Sequence, residues 1–302
     1  MAVVKPVDAS FEGFRIIRDK PGLILAWTGF YLLSLLAMIL ILLLPNLGTL
    51  AAAEVGGAAR DFDQLLARFG LPILIVFPLA MVMLTMLATA VYRAVLRPED
   101  KAFAYLKLGG DELRVFAASV IVLLIFTFAS GVYGVALVFL AHYAGPLADA
   151  VTFLGSLGGL ALVVWLAVRL SLMGAMTFAE RKIRLVAAWR MTRGHFWPLL
   201  WTLGLSIALI LLVVLLSFSL SLLLATLLGG VSLLGELANP DLSNITPGFA
   251  LAVLGQILLQ LAMQTLLIVL ILVVFYAPPC RAEQQIAGRA PVQPAPDAVP
   301  GL

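Results

Sequence analysis

The sequence predicts an all-α polytopic integral membrane protein with six transmembrane helices, and three observations carry that expectation. Of 302 residues, 63% are hydrophobic and only 12% charged, with a mean hydropathy of +1.12. A water-soluble globule of this length has no means of burying so much apolar surface. Six stretches are apolar over at least the ~18 residues that mark a membrane span, since about 20 helical residues cross a hydrocarbon core of roughly 30 Å. The cations alternate between the loops that join these stretches, as membrane topology requires.

Residues 1–20, MAVVKPVDASFEGFRIIRDK, scatter charge among apolar side chains and are expected to form a cytoplasmic interfacial segment. The run from Pro21 to Pro45 lacks a small-residue cleavage site at its end; it is too long for a signal-peptide core and reads as a retained first span. The next spans are Gly70 to Tyr92, Val115 to Ala141, Val151 to Phe178, Trp197 to Leu228 and Phe249 to Tyr276. Before the second, AARDFDQLLARF from Ala58 places Phe62, Leu65, Leu66 and Phe69 at helical spacing, which predicts a short helix on the outer membrane surface. The fifth stretch, about 32 residues, would make a helix of roughly 48 Å. Two crossings and a turn need more than that, so it is one tilted or projecting span stopped by Gly229 and Gly230. The membrane domain is therefore 21–278. Residues 279–302, which end in RAPVQPAPDAVPGL, are Pro/Ala-rich and are expected to be a disordered cytoplasmic tail.

Of the 19 Lys and Arg, all but Arg60, Arg68 and Arg169 fall in the N-terminal segment, the loops after spans two and four, or the tail. By the positive-inside rule these are cytoplasmic, placing both termini inside a bacterial inner membrane. The segment from Ala179 to Phe196 mixes Arg181, Lys182, Arg184, Arg190 and Arg193 with Ile183, Val186 and Trp189. It is expected to lie at the inner headgroups, drawn to anionic lipid at ~1 kcal/mol per cation. Cations spent on orientation give no reason to expect a nucleic-acid partner.

Three cytoplasmic segments align without gaps: FRIIRDKPGLIL from Phe14, YLKLGGDELRVF from Tyr105 and WRMTRGHFWPLL from Trp189. Each has an aromatic start, a charged or glycine-containing elbow and an apolar helix. They fit three repeats of an interfacial helix followed by a helical hairpin, and equally the appearance that any loop entering a membrane has.

Little in the chain suggests chemistry. The lone cysteine, Cys280, leaves no internal disulfide and no multi-cysteine zinc or iron–sulfur site. His142 and His195 fall on opposite sides of the bilayer, and neither a G-x-S-x-G nucleophile nor a zinc-binding His pair is present. Leu108-Gly109-Gly110-Asp111 superficially resembles an intramembrane aspartyl-protease motif but lacks its first glycine and a partner aspartate within a span. No enzyme, metal or cofactor is expected.

Two polar features stand out instead. Arg169 is the only charge inside an apolar run. It can snorkel or bond backbone carbonyls, or it can bind an anionic group. Gln256, Gln260 and Gln264 share one face of span six. Facing lipid they would lose their water partners, so they face the bundle interior, either as interhelical adhesive or as the lining of a polar cavity for solute or lipid headgroup. Gly155 with Gly159, and Ser130 with Gly134, are small-residue pairs that let helices approach closely.

The segment RLSLMGAMTFAERKIRLVAAWRMTRGHFWPLLW, Arg169 to Trp201, resembles bacterial six-span membrane proteins of uncharacterised function, related to the membrane region attached to some glycerophosphodiester phosphodiesterases. The likeness rests on Arg169, Leu170, Ser171 and Leu172, then Glu180, then an interfacial elbow of Trp189, Arg190, Thr192, Arg193, Gly194, Phe196 and Trp197. Gly174 stands where the family often has proline. The resemblance implies a shared span layout and no activity, because no segment has the length or composition for the soluble barrel of the fused relatives.

The expectation is thus an integral inner-membrane protein without enzymatic activity, acting through membrane lipids or through a membrane protein partner, a second copy included. The alternative is a small transporter or lipid-headgroup binder using Arg169 and the glutamines. Convergence of those four side chains on a water-accessible cavity favours the second; satisfaction by neighbouring helices in a dry core favours the first.

Overall fold

In hydrocarbon a peptide group has no hydrogen-bonding partner except the chain itself, so an apolar sequence of this kind is held to helix. The computed structural model describes residues 5–44, 62–100, 102–227 and 247–288, with no strand among them. In order the helices are α1 (Pro6–Ser10), α2 (Glu12–Asp19), α3 (Pro21–Leu43), α4 (Phe62–Leu96), α5 (Gly110–Tyr143), α6 (Ala148–Leu170), α7 (Met173–Glu180), α8 (Leu185–Arg193), α9 (Phe196–Leu227) and α10 (Pro247–Ile286), with a 3-10 turn at Ala102–Tyr105. Among the described residues six helical segments are long and apolar enough to cross a membrane, and each contains or overlaps one of the six expected spans. The protein is all-α and polytopic.

The structure departs from the sequence reading at three places. Residues 62–69 are not a separate surface helix; α4 runs unbroken from Phe62 through Pro72 and Pro78. A full break in lipid would strand several peptide groups, whereas each proline removes only one donor. The fourth span is interrupted: α6 stops at Leu170, Ser171 and Leu172 turn with the Ser171 hydroxyl donating to the Val168 carbonyl at 2.9 Å, and α7 resumes at Met173. The sixth helix continues past Pro278 and Pro279 to Ile286, so residues 279–286, expected in the disordered tail, are helical, and Cys280, Ala282, Glu283 and Gln284 are buried. The remainder of the tail, and Gly229 and Gly230, lie outside the described residues. Short helices precede α3 and α9 as the aligned segments anticipate, but α5 is preceded by the 3-10 turn and a stretch without regular structure.

The chain forms two compact units. The first comprises residues 1–13, 85–206 and 276–302. Its core joins Ala118 of α5, Val168 of α6, Met173 and Met176 of α7, Ala188 of α8 and Leu199 of α9. Within it α5 and α6 approach closely at the expected small residues. The Tyr133 hydroxyl donates to the Gly155 carbonyl at 2.7 Å and stands 2.5 Å from where a Cβ on Gly158 would lie. Gly134 meets nothing within 4 Å of such a position, so the Ser130–Gly134 pair does not mark a close helix contact. The N-terminal residues are fastened to α10 and α9: Arg281 Nε of α10 lies 3.3 Å from an Asp8 oxygen, Gln285 donates to the same carboxylate at 3.0 Å, and the Ser10 hydroxyl donates to the Thr202 carbonyl of α9 at 3.1 Å.

The second unit comprises residues 14–84 and 207–275. It buries Ile16, Ile24, Trp27 and Tyr31 of the N-terminal helices, Met83 of α4, and Val269 and Val273 of α10.

Candidate functional site

The glutamine stripe lies wholly in the second unit. Four-residue spacing puts Gln256, Gln260 and Gln264 on one face of α10, and that face borders a groove whose other wall is α9. Ser217 and Ser221, themselves four residues apart on α9, line it as well. The remaining lining is apolar, including Val214, Phe218, Ile257 and Leu267, and the cavity measures about 630 Å³, within the range that encloses a ligand of drug-like size. No charged residue lines it. Among the described residues the three amides make no hydrogen bond; Gln256 is half-buried, whereas Gln260 and Gln264, expected to face the bundle interior, are exposed. Ser219, the serine between the two, instead donates to its own helix at the Leu215 carbonyl, 2.9 Å away.

Arg169 belongs to the first unit, with a different set of neighbours. It occupies the last turn of α6, where the helix dipole favours a cation. Its guanidinium carbon lies 5.8 Å from the Trp165 ring centre, 5.6 Å from Trp189 and 5.8 Å from Phe196. Each such contact supplies about 0.5–1 kcal/mol when exposed and more when desolvated. Nη1 reaches the Thr192 hydroxyl at 3.4 Å, while Nε is buried without an acceptor. Three of the seven elbow residues, Trp189, Thr192 and Phe196, thus turn inward onto Arg169, whereas Arg190, Arg193, Gly194 and Trp197 are exposed. Arg169 is not among the residues lining the glutamine groove of the second unit.

No family model, characterised protein or solved structure matches the chain. Its chemistry is therefore read from these side chains alone. Among the described residues no group of three His, Cys, Asp or Glu side chains is placed to hold a metal ion.

A third polar assembly was hidden in what the sequence presents as a solvated basic loop. Arg93, only 3% exposed, pairs through Nη2 with Glu112, 4% exposed, and donates through Nη1 to the Tyr105 carbonyl at 2.5 Å. Its Nε lies 3.4 Å from Asp100, and its guanidinium carbon stands 5.5 Å from the Phe178 ring centre. Arg97 pairs with Asp111 at 3.0 Å and donates to the Phe178 carbonyl at 3.0 Å. Phe103, Ala104 and Tyr105 have φ of 52°, 55° and 65°, a left-handed turn unfavourable for residues with a Cβ. Arg93 holds that turn at the Tyr105 carbonyl, and the Tyr105 hydroxyl closes it by donating to Pro98 at 3.0 Å. With every cation matched by an acceptor, this cluster is an anchor for the helix ends. The available sequence signal was the four-residue step Arg93–Arg97 opposite the adjacent acids Asp111 and Glu112.

Asp100 gives the anchor a pH dependence. A hydrogen bond from Lys107 holds its carboxyl below the usual 3.8, desolvation opposes this, and the charges of Lys107, Arg93 and Arg97 add to it. A lowered folded pKa means stability that is complete above the ordinary carboxylate value and lost as pH falls through the lowered one. Thermal unfolding of Asp100→Asn in detergent is expected to lose that part of the acid dependence relative to the unmodified chain.

Proposed function

We propose that the protein is a non-enzymatic integral membrane protein of a bacterial inner membrane, with both termini cytoplasmic, that binds an amphipathic lipid in the groove between α9 and α10. The observation carrying this reading is that Gln256, Gln260, Gln264, Ser217 and Ser221 line an otherwise apolar, uncharged cavity in which the three amides lack partners. An unpaired amide in hydrocarbon is unfavourable by several kcal/mol. An occupant with an apolar chain and a row of uncharged oxygen or nitrogen groups, such as hydroxyls, esters or amides, satisfies both walls. A charged headgroup finds no counter-ion there. The distribution of Lys and Arg supports the orientation. The resemblance of the Arg169–Trp201 segment to six-span bacterial membrane proteins is consistent with this six-span reading.

The test is mass spectrometry of the species retained after purification from native membrane, for the unmodified chain and for a Gln256→Leu/Gln260→Leu/Gln264→Leu variant. One defined neutral amphipathic molecule is expected with the former, reduced about tenfold or more in the latter, the scale of losing one or two ligand hydrogen bonds. The variant is also expected to unfold at higher temperature, because it removes unpaired amides. Equal recovery of bulk lipid from both proteins would overturn the reading, and retention of a protein partner would favour action through protein contacts.

A further inference from the structure

We infer that Arg169 and its aromatic surround form a second, independent site that binds a phosphate oxyanion, supplied by the headgroup of an anionic lipid. A guanidinium carries five N–H donors in one plane. Those of Arg169 reach one hydroxyl at 3.4 Å, and that hydroxyl, on Thr192, itself donates to the Trp189 carbonyl at 2.9 Å. Nε is buried with no acceptor, and among the described residues no carboxylate pairs with Arg169. Trp165, Trp189 and Phe196 attract the cation through their π faces, yet they accept none of its in-plane hydrogen bonds. The arginine is therefore held in place with its hydrogen-bonding capacity unspent, which is the arrangement of a preorganised oxyanion receptor.

The place of the site selects the ligand. Arg169 lies at the end of a membrane-crossing helix, in the last turn before the Ser171–Leu172 break. Trp165 is 39% exposed, and Trp197, adjacent to Phe196 in α9, and Trp201, one turn further along it, are exposed. Indole side chains gather at the level of lipid headgroups, where phosphate is the most abundant anion. The exposed Arg190 and Arg193 of α8 would attract an anion to this surface without caging it. Phosphate also suits the planar fork of arginine, which can grip two of its oxygens at once.

The test is a lipid titration of the detergent-solubilised full chain by native mass spectrometry, with phosphatidylglycerol, phosphatidylcholine and inorganic phosphate as probes. One phosphatidylglycerol is expected to be held in preference to phosphatidylcholine. Arg169→Gln is expected to weaken it about tenfold or more, as loss of a charge-assisted hydrogen bond does. Arg169→Lys should fall between, keeping the charge and losing the fork, and Arg190→Gln/Arg193→Gln should weaken binding less than Arg169→Gln. Displacement of phosphatidylglycerol by millimolar inorganic phosphate would identify free phosphate as the source, and no displacement the lipid; either outcome supports the chemistry. Equal binding by Arg169→Gln and the unmodified chain would overturn it, as would an equal or larger loss in the Arg190/Arg193 variant, or no preference for the anionic probes. If Arg169→Gln does not fold, Arg169→Lys decides, and binding unchanged in that variant overturns the inference.

Discussion

Glu112→Ala is expected to lower stability by about 3–5 kcal/mol, the range for removing one partner of a buried ion pair. The loss comes from Arg93 more than from the missing bond. At 3% exposed it would keep its charge where water is scarce, compensated only by Asp100 at 3.4 Å, whose side chain is itself 38% exposed. The effect should spread to the left-handed turn at Phe103–Tyr105, which Arg93 holds through the Tyr105 carbonyl. Arg93→Met/Glu112→Leu is expected to be much milder, within about 1–2 kcal/mol of the unmodified chain, since exchanging a buried pair for apolar side chains removes both desolvation penalties and sacrifices mainly the bond to Tyr105. Reversible denaturant unfolding in mixed micelles, followed by tryptophan fluorescence, measures both. A double variant as damaged as Glu112→Ala would mean that the charges themselves are needed.

The second large effect is expected at Gly174. The Tyr92 hydroxyl stands 2.5 Å from where a Cβ would lie, with Cζ at 3.2 Å and Cε2 at 3.3 Å. Tyr92 has little freedom to retreat: it is buried, tilted against Phe178 with ring centres 6.1 Å apart and edge-on to Tyr276 at 5.8 Å. Gly174→Ala should therefore lower stability by about 1–3 kcal/mol, the usual range for overpacking, and Gly174→Val by more. Tyr92→Phe removes the nearest atom and should recover roughly half of the loss in the alanine variant, a coupling that a double-mutant cycle reads directly. Independent, additive effects would show that the two residues do not meet.

Both expectations concern features that composition does not reveal. The six spans were legible because apolar runs of sufficient length have one inexpensive conformation in lipid, and that rule is local. The glutamine stripe was legible for the same reason, since spacing along one helix fixes which side chains share a face. What stands opposite was not: Ser217 and Ser221 line the groove, while Ser219 between them bonds the helix backbone. The end of the sixth helix was misplaced because Pro/Ala-rich composition set the start of the tail at residue 279, before the helix ends at Ile286 past Pro278 and Pro279. Helix continues through them, and the following turn carries Arg281 and Gln285 to Asp8, a partner more than 270 residues away in sequence.

The sequence by itself determined the fold class, the six apolar helices and the identity of the unusual polar residues, all of which depend on a residue and its near neighbours in the chain. Only the tertiary structure decided what those residues meet. It placed three rings around Arg169, an unpartnered groove beside the glutamines and a buried counter-ion beside Arg93, separating receptor, cavity and anchor. The physical reason is that hydrophobicity acts over area and fixes which segments leave water, whereas hydrogen bonds and ion pairs act over a few ångströms and depend on which helices pack side by side.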